Sequence, residues 1–454
     1  MVTLPRASPP PRLAPARAAG PLAAALLLAA PGCSPRPAPE ARRANVLLVV
    51  ADDLSFRIGL YGHPVRTPNL ERLAARGRRF DRAYCQYPLC SPSRTSFLTG
   101  WRPERTGVWG NLGPPRRHLQ GATPLQEHFQ RNGYFTARVG KVYHSRFEEE
   151  FRWERVVDTY DDPPPGHGPG EARWGASSRR DEEEPDGRAA RVAADLLARD
   201  DRPFFIAVGF LKPHDPWIVP EAYLAMYPPE TVELPPVDPN AGPLFEPRRG
   251  VSLDLPPAKR REAVGAYRAA VTFMDAQLGV ILDAMDRHRR WPDTAVVFLG
   301  DNGLHVGEHG LIGKMTLFEE SARVPLVIAA PRVAKPGTPT GRLAELVDVY
   351  PTLVELAGLP RVDGLDGTSL VPLLADPEAA GKAAAHTMRK VGATRKRQLA
   401  RSVRSERWRF TEWPDGTVEL YDHERDPHEL RNLAGEAAHA ATAAEMRGRL
   451  PSEE

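Results

Sequence analysis

Residues Asn45 to Asp53, NVLLVVADD, indicate the fold class, because an unbroken apolar run ends abruptly in two adjacent carboxylates. The pattern recurs in YFTARVGK (134–141), FFIAVGFLK (204–212) and TAVVFLGDN (294–302). Continuous apolar runs of this length are typical of strands that are covered on both faces, hence of a mostly parallel sheet. We therefore predict an α/β domain whose ligand site lies beyond the carboxyl ends of these strands.

The polar residues after the first and last runs form an all-oxygen set. Asp52 and Asp53 follow the first run, and Asp301 and Asn302 follow the last. Hard oxygen ligands suit Ca²⁺ or Mg²⁺, and flexible carboxylates in an exported protein favour Ca²⁺. Two carboxylates alone could instead form a general acid and base couple, but two further ligands from a distant strand favour a metal.

The segment YCQYPLCSPSRTSFLTG (84–100) places a cysteine at a predicted helix start. Ser91 suits an N-cap and Pro92 suits the first helical position, so Cys90 is predicted at the positive end of the helix, where an anion is favoured. Arg94 follows Cys90 by one helical turn, so its side chain can return toward the same place. A buried structural cysteine is the alternative.

Lysine usage gives a further signal. Of 61 basic residues only eight are lysine, and three of these are Lys141, Lys212 and Lys314. They lie at strand ends or in the glycine-rich segment DNGLHVGEHGLIGK (301–314). A lone lysine is more simply a solvated charge, but an ammonium is a compact partner for an oxyanion. Three of them beside a predicted cation site indicate a sulfate or phosphate ester as substrate.

These segments resemble the signatures of formylglycine-dependent sulfatases. CSPSR (90–94), followed by TSFLTG, is similar to the family's Cys-x-Pro-x-Arg signature, and GYFTARVGKVYH (133–144) is similar to its second signature. The GKVYH spacing and KPH (212–214) are similar to the iduronate-2-sulfatase-like branch. Asn302 stands where some relatives have a histidine. The resemblance extends from about Asn45 to at least Leu433.

The resemblance implies an alkaline-phosphatase-like sandwich, with a large, mostly parallel central sheet flanked by helices. A smaller C-terminal subdomain with a short antiparallel sheet is also implied. In this family a separate maturation enzyme oxidises the signature cysteine, here Cys90, to formylglycine before folding. One hydroxyl of the aldehyde hydrate then attacks sulfur, and the other later expels sulfate.

The resemblance also implies roles for the residues at matching positions. One Ca²⁺ would be held by Asp52, Asp53, Asp301, Asn302 and residue 90. The implied catalytic residues are Cys90 as the source of the nucleophile, Arg94 and Lys141 to orient the hydrate, His144 to take its second proton, and His214 and Lys314 to bind the ester and the leaving oxygen.

The N-terminus has the pattern of an export signal over residues 1–33. Three arginines precede the apolar run Pro21 to Ala30, which is too short to span a bilayer, and Cys33 follows. A disordered Ala/Pro-rich tail is the alternative. We expect a periplasmic, outer-membrane or extracellular protein of a bacterium, with or without a lipid at Cys33, and a linker at 34–44.

Cys85 and Cys90 would then remain in an oxidising compartment, where a single pair normally suggests a disulfide. That bridge would close a very small loop around Pro88, so we favour two unbridged side chains.

The rest of the chain is predicted as a catalytic domain over 45–375 and a C-terminal subdomain over 376–454. In the tail, WRFTEW and VELYDH read as short strands around a turn, followed by a helix. Helical spacing of apolar residues predicts helices over 267–285 and 343–359. Loops or surface insertions are predicted at 161–170, 179–188 and 234–257.

The formal net charge of +3 and the lack of a long basic block make nucleic acid an unexpected partner. The predicted function is release of sulfate from a sulfated carbohydrate. One alternative is a phosphonate or phosphodiester hydrolase of the same superfamily. Another is a non-catalytic, lipid-anchored calcium protein that binds sulfated glycans and keeps Cys90 as a thiol.

Overall fold

The central sheet is built from the apolar runs. The computed structural model describes residues 43–144, 151–160, 173–235, 250–251, 255–331, 333–392 and 398–451. The predicted export signal, Cys33, almost all of the linker and the loop at 161–170 lie outside these residues. Within the described ranges, no helix combines the length and the apolarity needed to cross a membrane.

The described strands are β1 (Asn45–Ala51), β2 (Arg78–Tyr84), β3 (Phe135–Gly140), β4 (Arg155–Val157), β5 (Trp174–Ser177), β6 (Phe204–Phe210), β7 (Trp217–Pro220), β8 (Gly250–Val251), β9 (Thr294–Gly300), β10 (His305–Val306), β11 (Ile312–Gly313), β12 (Arg323–Ala329), β13 (Thr340–Glu345), β14 (Ala385–Lys390), β15 (Leu399–Arg404), β16 (Trp408–Glu412) and β17 (Val418–Asp422).

Eight strands form the large sheet, in the order β13-β2-β12-β9-β1-β6-β3-β4. The four predicted runs are β1, β3, β6 and β9, and they are adjacent and mutually parallel. β12 runs antiparallel to both of its neighbours, so the sheet is mixed but mostly parallel. The predicted fold class is confirmed, and the parallel strands send their carboxyl ends to one edge.

β1 is buried along its whole length because both faces of the sheet are covered. Leu47 and Val49 pack into one hydrophobic cluster with the long helix α7 (Pro257–Arg287), whereas Val46 and Leu48 pack into the opposite cluster. Side chains alternate between the faces of a strand. An unbroken apolar run was therefore required, and an alternating run would have left one face polar.

The described α-helices are α1 (Pro68–Arg76), α2 (Cys90–Thr99), α3 (Pro103–Thr106), α4 (Leu125–Arg131), α5 (Pro185–Leu196), α6 (Glu221–Leu224), α7 (Pro257–Arg287), α8 (Glu319–Ala322), α9 (Val349–Leu356), α10 (Val371–Ala375) and α11 (Ala440–Arg447).

Two element predictions were wrong in part. The segment 343–359 begins as the end of β13, and its helix α9 covers only Val349–Leu356, because Leu343, Ala344 and Glu345 pair in register with β2. The charged segment 179–188 was predicted as a loop, but Pro185 starts α5. Proline at the first helical position and Asp186 in the first turn are both favourable there.

The C-terminal residues form a four-stranded antiparallel sheet in the order β14-β15-β16-β17. The two predicted strands of the tail are β16 and β17, and the predicted terminal helix is α11. A domain boundary at residue 375 stays a prediction.

Candidate active site at the carboxyl edge of the central sheet

The central strands bring the predicted acidic residues together. Asp52 and Asp53 follow β1, and Asp301 follows the neighbouring strand β9. All three are buried, and each offers a carboxylate oxygen within 4.8 Å of the other two. Asp53 has a φ of 59°, and its backbone N–H donates to Asp301 Oδ1 at 3.0 Å. This bond stabilises a left-handed conformation that is uncommon outside glycine.

The helix α2 presents Cys90 in its first turn, although its start differs from the prediction. The N-cap is Leu89 rather than Ser91, because the helix already begins at Cys90. The Ser91 N–H instead donates to Asn111 Oδ1 at 3.0 Å, so an external side chain satisfies an N-terminal donor of the helix. Cys90 still lies at the positive end of the helix dipole.

The sulfur of Cys90 lies between acidic and basic groups. Cys90 Sγ is 3.2 Å from Asp52 Oδ1, 3.8 Å from Asp53 Oδ1 and 2.9 Å from Lys314 Nζ. Burial and the charge of Asp52 raise the pKa of the thiol, against the opposing effect of Lys314. Cys85 and Cys90 are both unbridged, so the disulfide alternative does not hold.

Arg94 is fully buried and links the two acidic strand ends. Its Nε donates to Asp301 Oδ2 at 2.7 Å, and its Nη2 lies 3.2 Å from Asp52 Oδ1. Its Nη1 also donates to the carbonyls of Lys141 and Val142. The predicted return of this side chain toward Cys90 is therefore seen, and one guanidinium ties together the ends of three strands.

Two of the three singled-out lysines reach the acidic cluster. Lys141 Nζ pairs with Asp52, and Lys314 Nζ lies 2.5 Å from Asp53 Oδ1. Lys212 does not: its Nζ donates to the carbonyl of Pro216 at 2.6 Å. Its role is to fix the turn after β6.

The two predicted histidines lie in the turns after β6 and β3. His214 Nε2 is 3.7 Å from Asp53 Oδ2, and burial lowers its pKa to about 4 against the attraction of Asp53. His144 follows β3, and burial and the charge of Lys141 lower its pKa to about 3. Both rings are therefore neutral around pH 7 and can accept a proton.

Sequence reasoning missed three residues that support the site. Ser93 Oγ donates to the carbonyl of Asp301 at 2.5 Å. Tyr267 donates to the carbonyl of Asp53 at 3.0 Å through its hydroxyl, although its segment was predicted only as a helix with a stripe of apolar residues. Asp186, within the charged segment predicted as a loop or surface insertion, accepts the N–H groups of Leu211 and Lys212 at 2.7 and 2.8 Å. The only available signal was the position of Ser93 inside the CSPSR signature.

The residues present fit a hard divalent cation. Asn302 Nδ2 donates to Asp53 Oδ1 at 2.8 Å and to the carbonyl of Gly303 at 2.9 Å. Its buried Oδ1 accepts no hydrogen bond from the described part of the chain. A buried, unsatisfied carbonyl oxygen is costly, and beside three clustered carboxylates it is a suitable ligand for Ca²⁺ or Mg²⁺.

Comparison with known families assigns the chain. The family model described as Sulfatase matches residues 44–359. The chain belongs to the sulfatase family. A second model, described as N-sulphoglucosamine sulphohydrolase, C-terminal, matches residues 307–454 of this sulfatase. The resemblance found in the sequence is thereby confirmed, and the protein is a sulfuric ester hydrolase.

Curated relatives of this sulfatase include several named sulfatases. A sulfatase of Formosa agariphila is 31% identical, with 87% of this chain and 84% of the relative covered. A choline-sulfatase of Rhizobium meliloti is 31% identical, with 86% and 82% covered. Human iduronate 2-sulfatase is 30% identical, with 69% of each chain covered.

Solved structures support the same fold. The phosphonate monoester hydrolase of Agrobacterium radiobacter has a TM-score of 0.79 at 25% identity, covering 90% of this chain and 94% of that one. A structure solved with D-glucosamine-2-N,6-O-disulfate as its substrate has a TM-score of 0.73 at 21% identity, with 90% and 96% covered. The second similarity bears on the fold alone.

Proposed function

We propose that this sulfatase releases inorganic sulfate from a sulfated carbohydrate, using a nucleophile made from Cys90 and one bound Ca²⁺. The observation that carries the proposal is the position of Cys90 Sγ, 3.2 Å from Asp52 Oδ1 and 2.9 Å from Lys314 Nζ. An oxygen in place of that sulfur would face the predicted metal ligands on one side and a cation for an oxyanion on the other.

The carbohydrate part of the proposal rests on the named relatives, and its sulfate part rests also on the cations of the site. Iduronate 2-sulfatases of two mammals are 30% identical to this chain, and an ulvan-active sulfatase of Formosa agariphila is 29% identical over 87% of it. The described site also clusters Lys141, Lys314 and Arg94, which suits a dense anion.

The metal would be held by Asp52, Asp53, Asp301 and Asn302, together with the group at residue 90. Bound there, Ca²⁺ supplies electrostatic stabilisation for charge that develops on a sulfate oxygen. Arg94 keeps Asp301 and Asp52 in place through its bonds of 2.7 and 3.2 Å. The chain thus holds its acidic groups close together before any cation arrives.

Residue 90 would act after oxidation of the cysteine to formylglycine by a separate maturation enzyme. The hydrated aldehyde supplies two hydroxyls on one carbon, one for attack on sulfur and one for the later release of sulfate. Arg94 and Lys141 would orient this group, because both contact Asp52 directly beside it. Covalent catalysis divides one difficult displacement into two easier steps.

Proton transfers would fall to the histidines. His144 would take the proton of the second hydroxyl, and His214 and Lys314 would bind the ester and serve the leaving oxygen. An imidazole suits proton transfer when its pKa lies near neutrality, so the bound sulfate ester would have to raise the pKa of both rings from the low values that burial gives them.

The N-terminal pattern extends the proposal to location. We infer export by the signal over residues 1–33, to the periplasm, the outer membrane or the exterior of a bacterium. Attachment to a membrane would then depend on a lipid at Cys33. Mass analysis of the N-terminal peptide of the exported protein decides between a lipidated Cys33 and simple cleavage.

The experiment that tests the nucleophile is the mass of the Cys90 peptide from protein co-produced with a formylglycine-generating enzyme. We expect an aldehyde at residue 90 and release of sulfate from members of a panel of sulfated saccharides. An unmodified thiol in protein that still releases sulfate would refute the proposed nucleophile.

A second candidate is hydrolysis of a phosphonate monoester, which the structural similarity to the Agrobacterium radiobacter enzyme favours. The same metal and cations would suit a phosphorus centre. Turnover of an aryl sulfate and of an aryl phosphonate ester, measured side by side, separates the two. Higher kcat/KM for the phosphonate would overturn the first choice.

A further inference from the structure

The strand β14 of the C-terminal sheet lies along the segment that leads to Cys90. Thr387 Oγ1 donates to the carbonyl of Cys85 at 2.7 Å. The Met388 N–H donates to the carbonyl of Gln86 at 3.0 Å, and the Lys390 N–H donates to the hydroxyl of Tyr87 at 3.0 Å. Three residues of one strand thus fix the chain immediately before the predicted nucleophile.

The same strand also reaches the loop that carries Lys314. Arg389 Nη1 donates to the carbonyl of Met315, and Arg389 is only 3% exposed, so water competes little for this bond. Met315 has a φ of 74°. This conformation is unfavourable for a long side chain and persists only where the surroundings enforce it.

Arg389 therefore acts at the residue next to Lys314, while its strand neighbours act on the approach to Cys90. Lys314 Nζ is 2.9 Å from Cys90 Sγ, the atom that stands for the reacting group. β14 contacts both the segment that precedes Cys90 and the loop that carries Lys314, and these two segments set the distance between Lys314 and Cys90. A relaxation of the strained Met315 backbone would therefore change the position of the neighbouring Lys314 relative to Cys90.

We propose that Arg389 is a positioning residue that sets the place of Lys314 relative to the nucleophile. The inference rests on the proposed function, in which Lys314 binds the ester. It gives the C-terminal sheet a part in the reaction, although that sheet supplies none of the predicted catalytic side chains.

The test compares Arg389→Ala and Arg389→Lys with Lys314→Ala and with Arg401→Ala as a matched control. Arg401 pairs with Met388 across the same sheet, but its side chain bonds to Glu412 at 2.6 Å and to the carbonyl of Pro451 at 3.0 Å. Each variant is assayed for kcat, KM and melting temperature with an activated aryl sulfate. Added guanidinium ion is then tested for recovery of activity in Arg389→Ala.

We expect Arg389→Ala to lower kcat by about 10²-fold, the order of effect that a misplacement of about 1 Å produces. KM should rise by a smaller factor than kcat falls, because Lys314 binds the ester in the ground state but its placement matters most in the transition state. Arg389→Lys keeps a donor for the Met315 carbonyl and should retain more activity than the alanine variant. Guanidinium should restore activity to Arg389→Ala only, and Arg401→Ala should behave as the wild type.

Two results would overturn the inference. The first is wild-type kcat in Arg389→Ala while Lys314→Ala is inactive, which leaves the proposed function standing. The second is a loss of activity that follows melting temperature in both Arg389 variants, without guanidinium rescue, which would show a purely structural role. Wild-type activity in Lys314→Ala would instead refute the proposed role of Lys314 itself.

Discussion

Replacing Arg94 with methionine tests whether one guanidinium holds the acidic cluster together. The side chain has no exposed surface, and neither do its partners Asp52 and Asp301. Breaking a buried ion pair by removing one partner typically costs about 3–5 kcal/mol. Methionine preserves most of the volume, so this cost reflects the lost charge. Burial already raises the pKa of Asp301 to about 6 against the pull of Arg94, so its carboxylate depends on that partner.

The assay is urea unfolding at pH 7, with chelator and then with saturating Ca²⁺. In chelator we expect Arg94→Met to lose about 3–5 kcal/mol of unfolding free energy. Ca²⁺ should recover more of the stability of this variant than of the wild type, because the cation replaces the missing positive charge and binding to the native state adds to stability. The control is Arg102→Met, which breaks the 2.5 Å pair with buried Glu345.

Arg102 lies outside the acidic cluster, so Arg102→Met should lose the same amount of unfolding free energy with and without Ca²⁺. A loss below about 1 kcal/mol for Arg94→Met in chelator would refute the reasoning, since that is the size expected of a surface pair. Equal Ca²⁺ responses in the two variants would refute the link between Arg94 and the cation.

Two further predictions concern single carboxylates. Asp301→Ala should abolish metal-dependent sulfate release while the protein remains folded by circular dichroism, and unchanged activity would remove Asp301 from the ligand set. Burial alone would raise the pKa of Glu429, but Arg409 and His423 lower it to about 2 from its ordinary 4.5. By linkage, the ionised Glu429 adds about 3 kcal/mol to the free energy of unfolding. This stabilisation is fully present above pH 4.5 and is lost as the pH falls toward 2. Glu429→Gln should accordingly be less stable than the wild type at pH 7 in urea unfolding but not near pH 2, and a pH-independent difference would contradict this sign.

The sequence predicted the central strands because burial on both faces leaves an unmistakable pattern. β1, β3, β6 and β9 each coincide with a predicted run, and the residues after them lie together as parallel strands require. Asp52 and Asp301 could be paired on that ground alone, far apart as they are in the chain.

Other features depend on contacts that no local pattern records. Segment 343–359 has helical spacing, yet pairing with β2 holds its first residues in a strand. Asp186 and Tyr267 form hydrogen bonds with backbone groups of distant turns. The sequence does not reveal this, because an aspartate is also typical of a surface and a tyrosine is also typical of a core. The helix α2 begins two residues earlier than predicted, and Asn111, rather than Ser91, supplies the side chain that accepts a hydrogen bond from its first turn.

The complete burial of Cys90 limits the time during which its side chain can be modified. Its neighbours come from segments between Asp52 and Lys314, so the pocket closes only after most of the chain has emerged and long-range pairs have formed. An enzyme that alters this side chain must finish while the chain is still open. The speed of folding and the supply of the proposed maturation enzyme would thus be in competition, and slower synthesis should raise the fraction of molecules that carry formylglycine at residue 90.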